Sequence, residues 1–370
     1  MERIMFINDH LGQGGVGTVN RKIMTELISK GASLANVTVF RNDLVDGAEN
    51  INLRVSTIQA ILLFPLLYKL IRLFRNSEID YVISSKDYIN VVVIMAWRFS
   101  GAKGKLLVNS HVAPATKLRH EGKIVQRLSI YAARIVYRYA DIVANVSELA
   151  SVESEEYFGL SKVETLYNPV VSESDLLEEC DIPDHEFFSS GGKVIVSCGR
   201  LERQKNQELM IRAFSIALRT RPDLYLVILG EGSLREKLQD LVKTLGIERN
   251  VSMPGFEANP KCYMAHCDLF WLTSFFEGFG VVLVEALSVG APILSVDCPH
   301  GPREILGGGR FGRLVTSLDA QENSAALLDM LDAPRLAKSE LQRRALDFEV
   351  SVCSSRYISL LRKAAGRDVV

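Results

Sequence analysis

Four charged side chains in the second half of the sequence are spaced so that they could bind a phosphorylated ligand. Arg200 and Lys205 follow the apolar run VIVSC, and Glu277 and Glu285 stand on either side of the segment GFG. A guanidinium offers a planar fork of donors and an ammonium offers a point charge, so the two cations suit a diphosphate. Surface cations beside a turn remain the alternative for that segment taken alone. The two carboxylates can accept hydrogen bonds from neighbouring hydroxyl groups of a ribose or a sugar.

A glycine-rich segment precedes the helix predicted over 281–289. Gly278 and Gly280 flank Phe279 there, and they leave N–H groups exposed at a helix N-terminus, where the helix dipole attracts phosphate. Side chains on a helix lean toward its N-terminus, so Glu285, about one turn in, leans back toward the same place. Acids placed at a helix N-terminus for the dipole alone are the alternative. The Glu-x7-Glu spacing around Gly-Phe-Gly favours a binding site.

The elements that must position these residues alternate between strand and helix. In the first half we predict strands at 3–8, 37–40, 81–84, 106–109 and 142–145, with a helix near 18–30. In the second half we predict strands at 194–198, 225–229, 250–253, 268–272 and 292–296, helices at 206–220, 233–245, 260–266 and 281–289, and a helical tail from 319 to 365. This order predicts an α/β protein with doubly wound parallel sheets, in which ligands bind at the carboxyl ends of the strands.

Length and composition divide the chain into two domains. A chain of 370 residues is long for one α/β core and sufficient for two. Residues 171–192 are acidic and polar and end in Ser-Ser-Gly-Gly, which predicts a linker. We therefore expect a Rossmann-like domain over 1–170 and a second one, with the nucleotide site, over 193–350.

The N-terminal glycines allow three interpretations. Gly12, Gly14 and Gly17 satisfy the spacing GxGxxG between a predicted strand and a predicted helix, which is the pattern of an NAD-binding turn. An oxidoreductase would also need an acid after the second strand, and Asp43 stands about 26 residues beyond Gly17, later than the usual spacing of about 20. Close approach of another phosphate ligand, or a turn without a ligand, accounts for the glycines equally well.

The bulk composition excludes some classes of protein. The net charge of −1 argues against a general nucleic-acid binder. The six cysteines form no CxxC pair and no zinc-type spacing with histidine, which is typical of free thiols in a reducing cytosol. The N-terminal segment MERIMFIND indicates a first strand and not a signal peptide, so we expect a cytoplasmic protein.

Two segments could contact a membrane. Residues 58–74 are apolar, but they are short for a span and contain Gln59, Pro65, Lys69 and Arg72, so we predict a packing helix with lipid contact as the alternative. Residues 98–138 carry nine lysines and arginines against one acid. Interleaved leucine, isoleucine and tyrosine make this segment amphipathic and basic, which favours a patch for anionic lipid or a phosphorylated acceptor over a solvated helical face.

Several motifs in combination resemble family 4 of the retaining glycosyltransferases, which have the GT-B fold. In the second half they are Gly199-Arg200-Leu201 with Lys205-Asn206, Gly230-Glu231-Gly232, Pro254-Gly255-Phe256, Glu277-Gly278-Phe279-Gly280 with Glu285-Ala286, Gly290-Ala291-Pro292-Ile293 and Gly301-Pro302-Arg303-Glu304-Ile305. In the first half they are Gly14-Gly15 with Gly17, His111, Val146-Ser147 and Asn168-Pro169-Val170. Glu231 stands where many members have Asp. The segment DCPHGPREIL, from Asp297, looks like bacterial members that build capsule, O-antigen or lipid-linked glycans, often from UDP-sugars.

The resemblance implies a role for each matching residue. Arg200 and Lys205 would neutralise the diphosphate and stabilise the leaving group, so that no metal and no cofactor is needed. Glu277 would hold sugar hydroxyls and Glu285 the ribose, while His111 would contact the transferred sugar from the first domain. The implied catalytic set is Arg200, Lys205, Glu277 and His111. The implied donor-binding set is Gly15, Gly199, Gly255, Phe256, Gly278, Phe279, Gly280, Val281, Val282 and Glu285.

The resemblance also implies an overall activity and its setting. Two Rossmann-like domains would face a cleft, with the helix of 351–370 returning to the first domain. A hexose or N-acetylhexosamine would pass with retention from a UDP-sugar, or from GDP-mannose, to a glycan or lipid-linked acceptor at the inner face of the plasma membrane. A sugar-nucleotide epimerase or hydrolase on the same fold, a silent binding partner in glycan assembly and an NAD-dependent oxidoreductase are the alternatives.

Overall fold

A computed structural model describes residues 2–9, 11, 15–40, 43–54, 64–120, 124–177 and 179–367. The chain forms two compact units. Unit 1 comprises Met1–Pro169 together with Val350–Val370, and unit 2 comprises Val170–Glu349. The helix near the C-terminus thus belongs to unit 1, as the resemblance to GT-B proteins implies.

Unit 1 contains a parallel sheet with helices on both of its faces. Its strands are β1 (Arg3–Asn8), β2 (Ser33–Thr38), β3 (Glu49–Asn52), β4 (Tyr81–Ser85), β5 (Lys105–Ser110), β6 (Ile142–Asn145) and β7 (Glu164–Thr165), in the order β3-β2-β1-β4-β5-β6-β7. Its helices are α1 (Gly15–Ser29), α2 (Phe64–Asn76), α3 (Asp87–Ser100), α4 (Pro114–His120), α5 (Ile124–Val136), α6 (Glu148–Phe158) and, from the C-terminal segment, α16 (Val350–Ala364).

Buried apolar side chains hold helices against both faces of the sheet in unit 1. On one face the rings of Phe74 in α2 and Trp97 in α3 meet edge to face, with centroids 5.3 Å apart. On the other face Ile23 of α1 and Leu361 of α16 are fully buried. The second strand begins at Ser33, earlier than predicted, because it pairs along the whole of β1 and not only through its apolar end.

Unit 2 repeats this architecture with six parallel strands. They are β8 (Lys193–Cys198), β9 (Leu224–Leu229), β10 (Val251–Gly255), β11 (Leu269–Leu272), β12 (Ile293–Val296) and β13 (Arg313–Val315), in the order β10-β9-β8-β11-β12-β13. Its helices are α7 (Glu173–Leu177), α8 (Glu186–Ser189), α9 (Gln207–Thr220), α10 (Arg235–Thr244), α11 (Pro260–His266), α12 (Val281–Val289), α13 (Pro302–Ile305), α14 (Ala320–Asp332) and α15 (Lys338–Ala345).

The segment predicted as a linker, 171–192, is part of unit 2. Asp175 of α7 forms an ion pair with Lys261 of α11 at 2.8 Å, and Phe187 of α8 is buried and stacks on Tyr225 with ring centroids 4.5 Å apart. Its acidic and polar composition therefore reflects short capped helices that pack on the domain and not a free connection.

The two sheets each contain a point where the strand order reverses. In unit 1 this point lies between β1 and β4, and in unit 2 it lies between β8 and β11. Loops leave adjacent strands in opposite directions there, which opens a crevice at the carboxyl ends. A ligand site is therefore expected at these two edges.

The apolar segment near residue 64 is a packing helix where the structure describes it. Helix α2 buries Leu66, Leu70 and Phe74, and residues 55–63 lie outside the described part of the chain. Among the described helices, none combines the length and the hydropathy that a membrane crossing requires.

Candidate active site

The predicted cation and carboxylate of unit 2 meet at the reversal point between β8 and β11. Lys205 Nζ donates to Glu277 Oε1 at 2.7 Å, and the two side chains are only 14% and 6% exposed. Lys205 lies on the loop after β8 and Glu277 on the loop after β11. Two loops that are far apart in sequence thus bring opposite charges together at the edge where parallel sheets bind ligands.

Neighbouring polar groups fix this ion pair. Ser274 Oγ donates to Glu277 Oε1 at 2.6 Å, and Thr273 Oγ1 donates to the carbonyl of Lys205 at 3.2 Å. Gln204 Nε2 donates to the carbonyl of Phe276 at 3.0 Å. The sequence interpretation missed these three supporting side chains, although polar residues directly after a buried strand such as LFWL are a usable signal for a site.

Gly199 and Gly230 lie in close contact at the loop that carries the cation. A Cβ on Gly199 would come 3.2 Å from Cε of Lys205, so the lysine side chain lies across this glycine. A Cβ on Gly230, whose φ is +128°, would come 2.1 Å from the carbonyl oxygen of Gly199. Glycine at position 230 is therefore a steric requirement of this loop, whereas a Cβ at position 199 would press only on the flexible lysine side chain.

Helix α12 begins beside Glu277, as predicted. Gly280 occupies its N-cap with φ +99°, and the first-turn N–H groups of Val281 and Val282 have no partner four residues earlier in a helix. Both valines are half-buried, and Gly278 in the preceding loop is half-buried too. These main-chain donors are placed to meet an anion together with the helix dipole.

Phe279 differs from the other members of the predicted donor-binding set. Its ring is 2% exposed and packs edge to face on Phe348, with centroids 5.3 Å apart. Its side chain is therefore a core group, and only its backbone can face a ligand. Gly301 lies against it so tightly that a Cβ would overlap the Phe279 carbonyl.

Arg200 and Glu285 are the remaining charged residues of the set predicted in unit 2. Arg200 is exposed, and its side chain makes no hydrogen bond or ion pair with the described residues, so its guanidinium is available to a ligand. Glu285 is half-buried on α12. Burial, and then the Glu285 carboxylate, raise the pKa of the Cys198 thiol to about 12, whereas Lys205 lowers it. Glu285 and Lys205 therefore both lie close enough to the end of β8 to act electrostatically on Cys198.

The end of β10 forms a neighbouring rim of this edge. Gly255, with φ +106°, leaves room for the carboxylate of Glu231, which would stand 2.7 Å from a Cβ at that position. Arg235 binds Glu231 at 2.9 Å and the carbonyl of Met253 at 2.6 Å. Phe256, next along the chain, is 65% exposed. An exposed aromatic ring on a braced loop is suited to stack on a flat ligand group.

In unit 1, His111 follows β5 at the carboxyl edge. Its Nε2 is enclosed and has no hydrogen-bond partner among the described residues. Burial lowers the pKa of His111 to about 4, with Lys86 and Lys117 lowering it further and Asp87 and Asp9 opposing them. The ring is therefore a neutral imidazole near pH 7.

The N-terminal glycine turn is described only in part. Gly12 and Gly14 lie outside the described residues, while Gly15 is exposed at the start of α1 with nothing within 4 Å of a Cβ built on it. Asp43, the acid that an NAD site would need, accepts a hydrogen bond from the Leu11 N–H at 2.5 Å. That carboxylate closes a local loop at a position five residues beyond the end of β2.

The basic segment 98–138 is less uniformly exposed than its sequence indicates. Lys117 is an internal group, because its Nζ pairs with the buried Asp87 at 2.6 Å, and Lys105 pairs with Asp141 at 2.9 Å. The basic patch predicted over residues 98–138 therefore does not include Lys117. Lys123 lies outside the described residues, whereas Arg119 and Arg127 are exposed.

Helix α5 presents an apolar stripe to solvent within that basic segment. Ile124, Leu128, Tyr131 and Ile135 are 74%, 61%, 52% and 63% exposed, and their spacing of four, three and four residues places them on one helix face. The exposed cations beside this stripe are Arg127, Arg134 and Arg138. Among the described residues, no cluster of three or more His, Cys, Asp or Glu side chains is arranged to hold a metal ion.

Solved structures with this architecture define its class as a GT-B glycosyltransferase fold. The lipopolysaccharide outer core galactosyltransferase WaaB matches 98% of the chain and 99% of its own with a TM-score of 0.73 at 22% identity. HepE from Anabaena in complex with UDP matches 98% of the chain and 100% of its own with a TM-score of 0.74 at 21% identity. The prediction of two Rossmann-like parallel-sheet domains of the GT-B type is confirmed.

Sequence relatives identify the family within that class. The model of the family "Glycosyl transferases group 1" matches residues 181–345. The chain is 33% identical over 273 residues to the N-acetylgalactosamine-N,N'-diacetylbacillosaminyl-diphospho-undecaprenol 4-alpha-N-acetylgalactosaminyltransferase of Campylobacter jejuni, with 72% of the chain and 71% of that protein covered. A second Campylobacter jejuni enzyme, a GalNAc-alpha-(1->4)-GalNAc-alpha-(1->3)-diNAcBac-PP-undecaprenol alpha-1,4-N-acetyl-D-galactosaminyltransferase, is 25% identical over 80% of the chain and 79% of its own. The protein belongs to the group 1 glycosyltransferases.

Proposed function

We propose that this glycosyltransferase moves a hexose or N-acetylhexosamine from a nucleoside-diphosphate sugar to a lipid-linked glycan, without a metal ion and with retention of configuration. The observation that carries the proposal is the buried Lys205–Glu277 ion pair beside the N-terminus of α12. It places a cation, main-chain donors and a carboxylate at one edge, as a diphosphate joined to a sugar requires.

In the proposed mechanism the cations stabilise the leaving group. The bond between the anomeric carbon and the diphosphate oxygen breaks while the acceptor oxygen bonds to that carbon on the same face. The acceptor proton passes to the departing phosphate, so no protein nucleophile is needed. In this proposal Lys205 and Arg200 stabilise the charge that develops on the diphosphate, and fixed charges of this kind supply much of enzymatic rate enhancement.

The carboxylates bind the neutral parts of the donor in this proposal. Glu277 accepts hydrogen bonds from sugar hydroxyls, and its orientation is set by Lys205 and Ser274. Glu285 holds the ribose, and the exposed ring of Phe256 stacks on the base. UDP is the favoured nucleotide, supported by the UDP named with HepE, and GDP-mannose is the alternative donor.

The relatives support a lipid-linked acceptor. Both Campylobacter jejuni enzymes are named for acceptors carried on undecaprenol through a diphosphate. Such an acceptor is confined to a membrane, and the exposed stripe of α5 with its flanking arginines suits an anionic lipid surface. We therefore propose peripheral association at the cytoplasmic face, through Arg127, Arg134 and Arg138 and not through Lys117.

A donor screen with a lipid-linked acceptor tests the activity. We expect transfer from a UDP-sugar in the presence of a chelator, with the anomeric configuration of the product equal to that of the donor. Conversion of donor when the acceptor is omitted would favour the epimerase or hydrolase alternative. Dependence of transfer on added divalent metal would refute the metal-free mechanism.

A further inference from the structure

His111 stands in a segment that one buried carboxylate holds at both ends. Ser110, directly before it, donates its Oγ hydrogen to Asp87 Oδ1 at 2.5 Å. Lys117, six residues after His111, donates from Nζ to Asp87 Oδ2 at 2.6 Å. The two oxygens of Asp87 therefore fix the start of the segment and the helix that follows it.

Asp87 is itself firmly placed. It is the first residue of α3, where the helix dipole favours an acid, and it is 4% exposed. Tyr137 donates its hydroxyl hydrogen to Oδ1 at 2.8 Å. Burial raises the pKa of Asp87, but the Lys117 ammonium and the hydrogen bonds outweigh burial, so this pKa lies below its ordinary value and the group remains a carboxylate.

A second carboxylate restrains the same segment. Glu153 Oε1 of α6 accepts hydrogen bonds from the N–H groups of Ala115 at 2.8 Å and Thr116 at 3.3 Å. These groups open α4 and have no partner within that helix. Residues 111–114 are thus a short span between fixed points, and a ring carried by such a span has little freedom to move.

The His111 ring, which this span carries, has one nitrogen atom without a hydrogen-bond partner among the described residues. Its Nε2 has no partner among the described residues, and the groups that act on its charge are Asp87, Asp9, Lys86 and Lys117. Lys86 is neutralised by Asp9 and Lys117 by Asp87, so the pairs leave the edge without net charge around His111. A neutral imidazole nitrogen in such a place can accept or donate one hydrogen bond, according to its tautomer.

We propose that Asp87 is a positioning residue for the transfer reaction, which through Ser110 and Lys117 fixes the segment that carries His111, so that the ring keeps the one orientation in which it acts on the transferred sugar. This inference rests on the proposed function and on the contact between His111 and the transferred sugar that the family resemblance implies. Nothing in the sequence motifs pointed to Asp87, because its partners lie 23, 30 and 50 residues away.

The test compares Asp87→Asn with the wild-type enzyme by kinetics and by NMR of histidine. We expect kcat to fall by about 10- to 100-fold with KM for the donor within about threefold, because a small misplacement of a contacting group costs this much in rate. UDP binding by calorimetry should be unchanged, since the donor site lies in unit 2. The pKa of His111 should fall below its value of about 4, because the substitution removes a carboxylate that raises this pKa and leaves the Lys117 ammonium without its counter-charge.

A matched control removes a carboxylate that contacts the other end of strand β5. Asp141→Asn breaks the ion pair of 2.9 Å with Lys105, the first residue of β5, and should lower stability without moving the His111 pKa or kcat. If Asp87→Asn does not fold, Lys117→Gln removes one tether and should give a smaller loss of kcat in the same direction. Wild-type kcat, or an unshifted His111 pKa, in the folded variant would overturn the inference, whereas absence of binding of both UDP and GDP to the wild type would instead overturn the proposed function.

Discussion

The carboxyl edges of the two sheets contain the same kinds of residue but were not equally visible in the sequence. In unit 2 the ion pair between Lys205 and Glu277 joins two loops that each belong to a recognisable glycine-rich motif. In unit 1 the ion pair between Asp87 and Lys117 joins residues without any motif. A site built from contiguous glycine loops and helix N-termini can be predicted locally. A site built from single side chains on separate elements requires the fold.

The largest expected effect comes from removing the buried cation at the edge of unit 2. Lys205→Ala should lower kcat/KM by about 10²–10³-fold, the usual loss when one donor to a developing negative charge is removed. It should also lower the free energy of unfolding by about 3 kcal/mol, because Glu277 stays buried without its cation. Transfer assays and chemical denaturation measure the two. The exposed Lys237 offers a control, since Lys237→Ala should change neither.

Removing Arg200 should affect activity but not stability, unlike removing Lys205. Arg200 is exposed, so Arg200→Ala should leave the free energy of unfolding unchanged while weakening donor use by about 10- to 100-fold, which corresponds to one charge-assisted contact of about 1.5–3 kcal/mol. Donor titrations at fixed acceptor concentration provide the measurement. Full activity in Arg200→Ala would remove it from the site and leave Lys205 as the cation for the diphosphate.

A smaller effect is expected for the exposed cations of helix α5. Arg127→Gln should weaken association with anionic liposomes about fivefold, as expected for about 1 kcal/mol per cation near the surface, and added salt should reduce the difference. Flotation of vesicles measures this partition. Arg219→Gln, an exposed arginine of unit 2, is the control and should have no effect. Equal flotation of all three proteins would refute the membrane surface on α5.

The smallest expected effect is on the reactivity of Cys198, which can be measured at the edge of unit 2 without a substrate. The pKa of Cys198 is raised to about 12, first by burial and then by the Glu285 carboxylate. At pH 8 its thiolate should be scarce and its alkylation slow, since the thiolate is the nucleophile. Glu285→Gln removes a negative charge that raises this pKa, so alkylation should become faster by a few-fold. An unchanged rate, measured by mass spectrometry, would place Glu285 away from β8.

The sequence predicted the main elements of the fold because most strands are continuous apolar runs. The strand predicted at 142–145 and the helices at 260–266 and 281–289 have the bounds that the structure shows. Strand β3, with the sequence ENIN, was missed because its side chains are polar and partly exposed, and only pairing with β2 makes it a strand. Strand β13 was missed because it is three residues long.

The candidate site was predictable to the extent that its residues are local to a turn. Gly199, Gly280 and Glu277 could be named because a glycine between a strand and a helix is typical of a turn that receives an anion. The pairing of Glu277 with Lys205 could not be named, because it depends on β8 and β11 being neighbours in the sheet. Charge counting failed for Lys117 for the same reason, since its counter-charge lies on another helix.

Calorimetric titration of the wild-type protein with UDP, GDP and NAD tests the central claim most directly. The arrangement of Arg200, Lys205, Glu277 and Glu285 predicts saturable binding of a nucleoside diphosphate, with affinity lost in Lys205→Ala and retained in Lys237→Ala. Saturable binding of NAD without binding of either nucleoside diphosphate would contradict it.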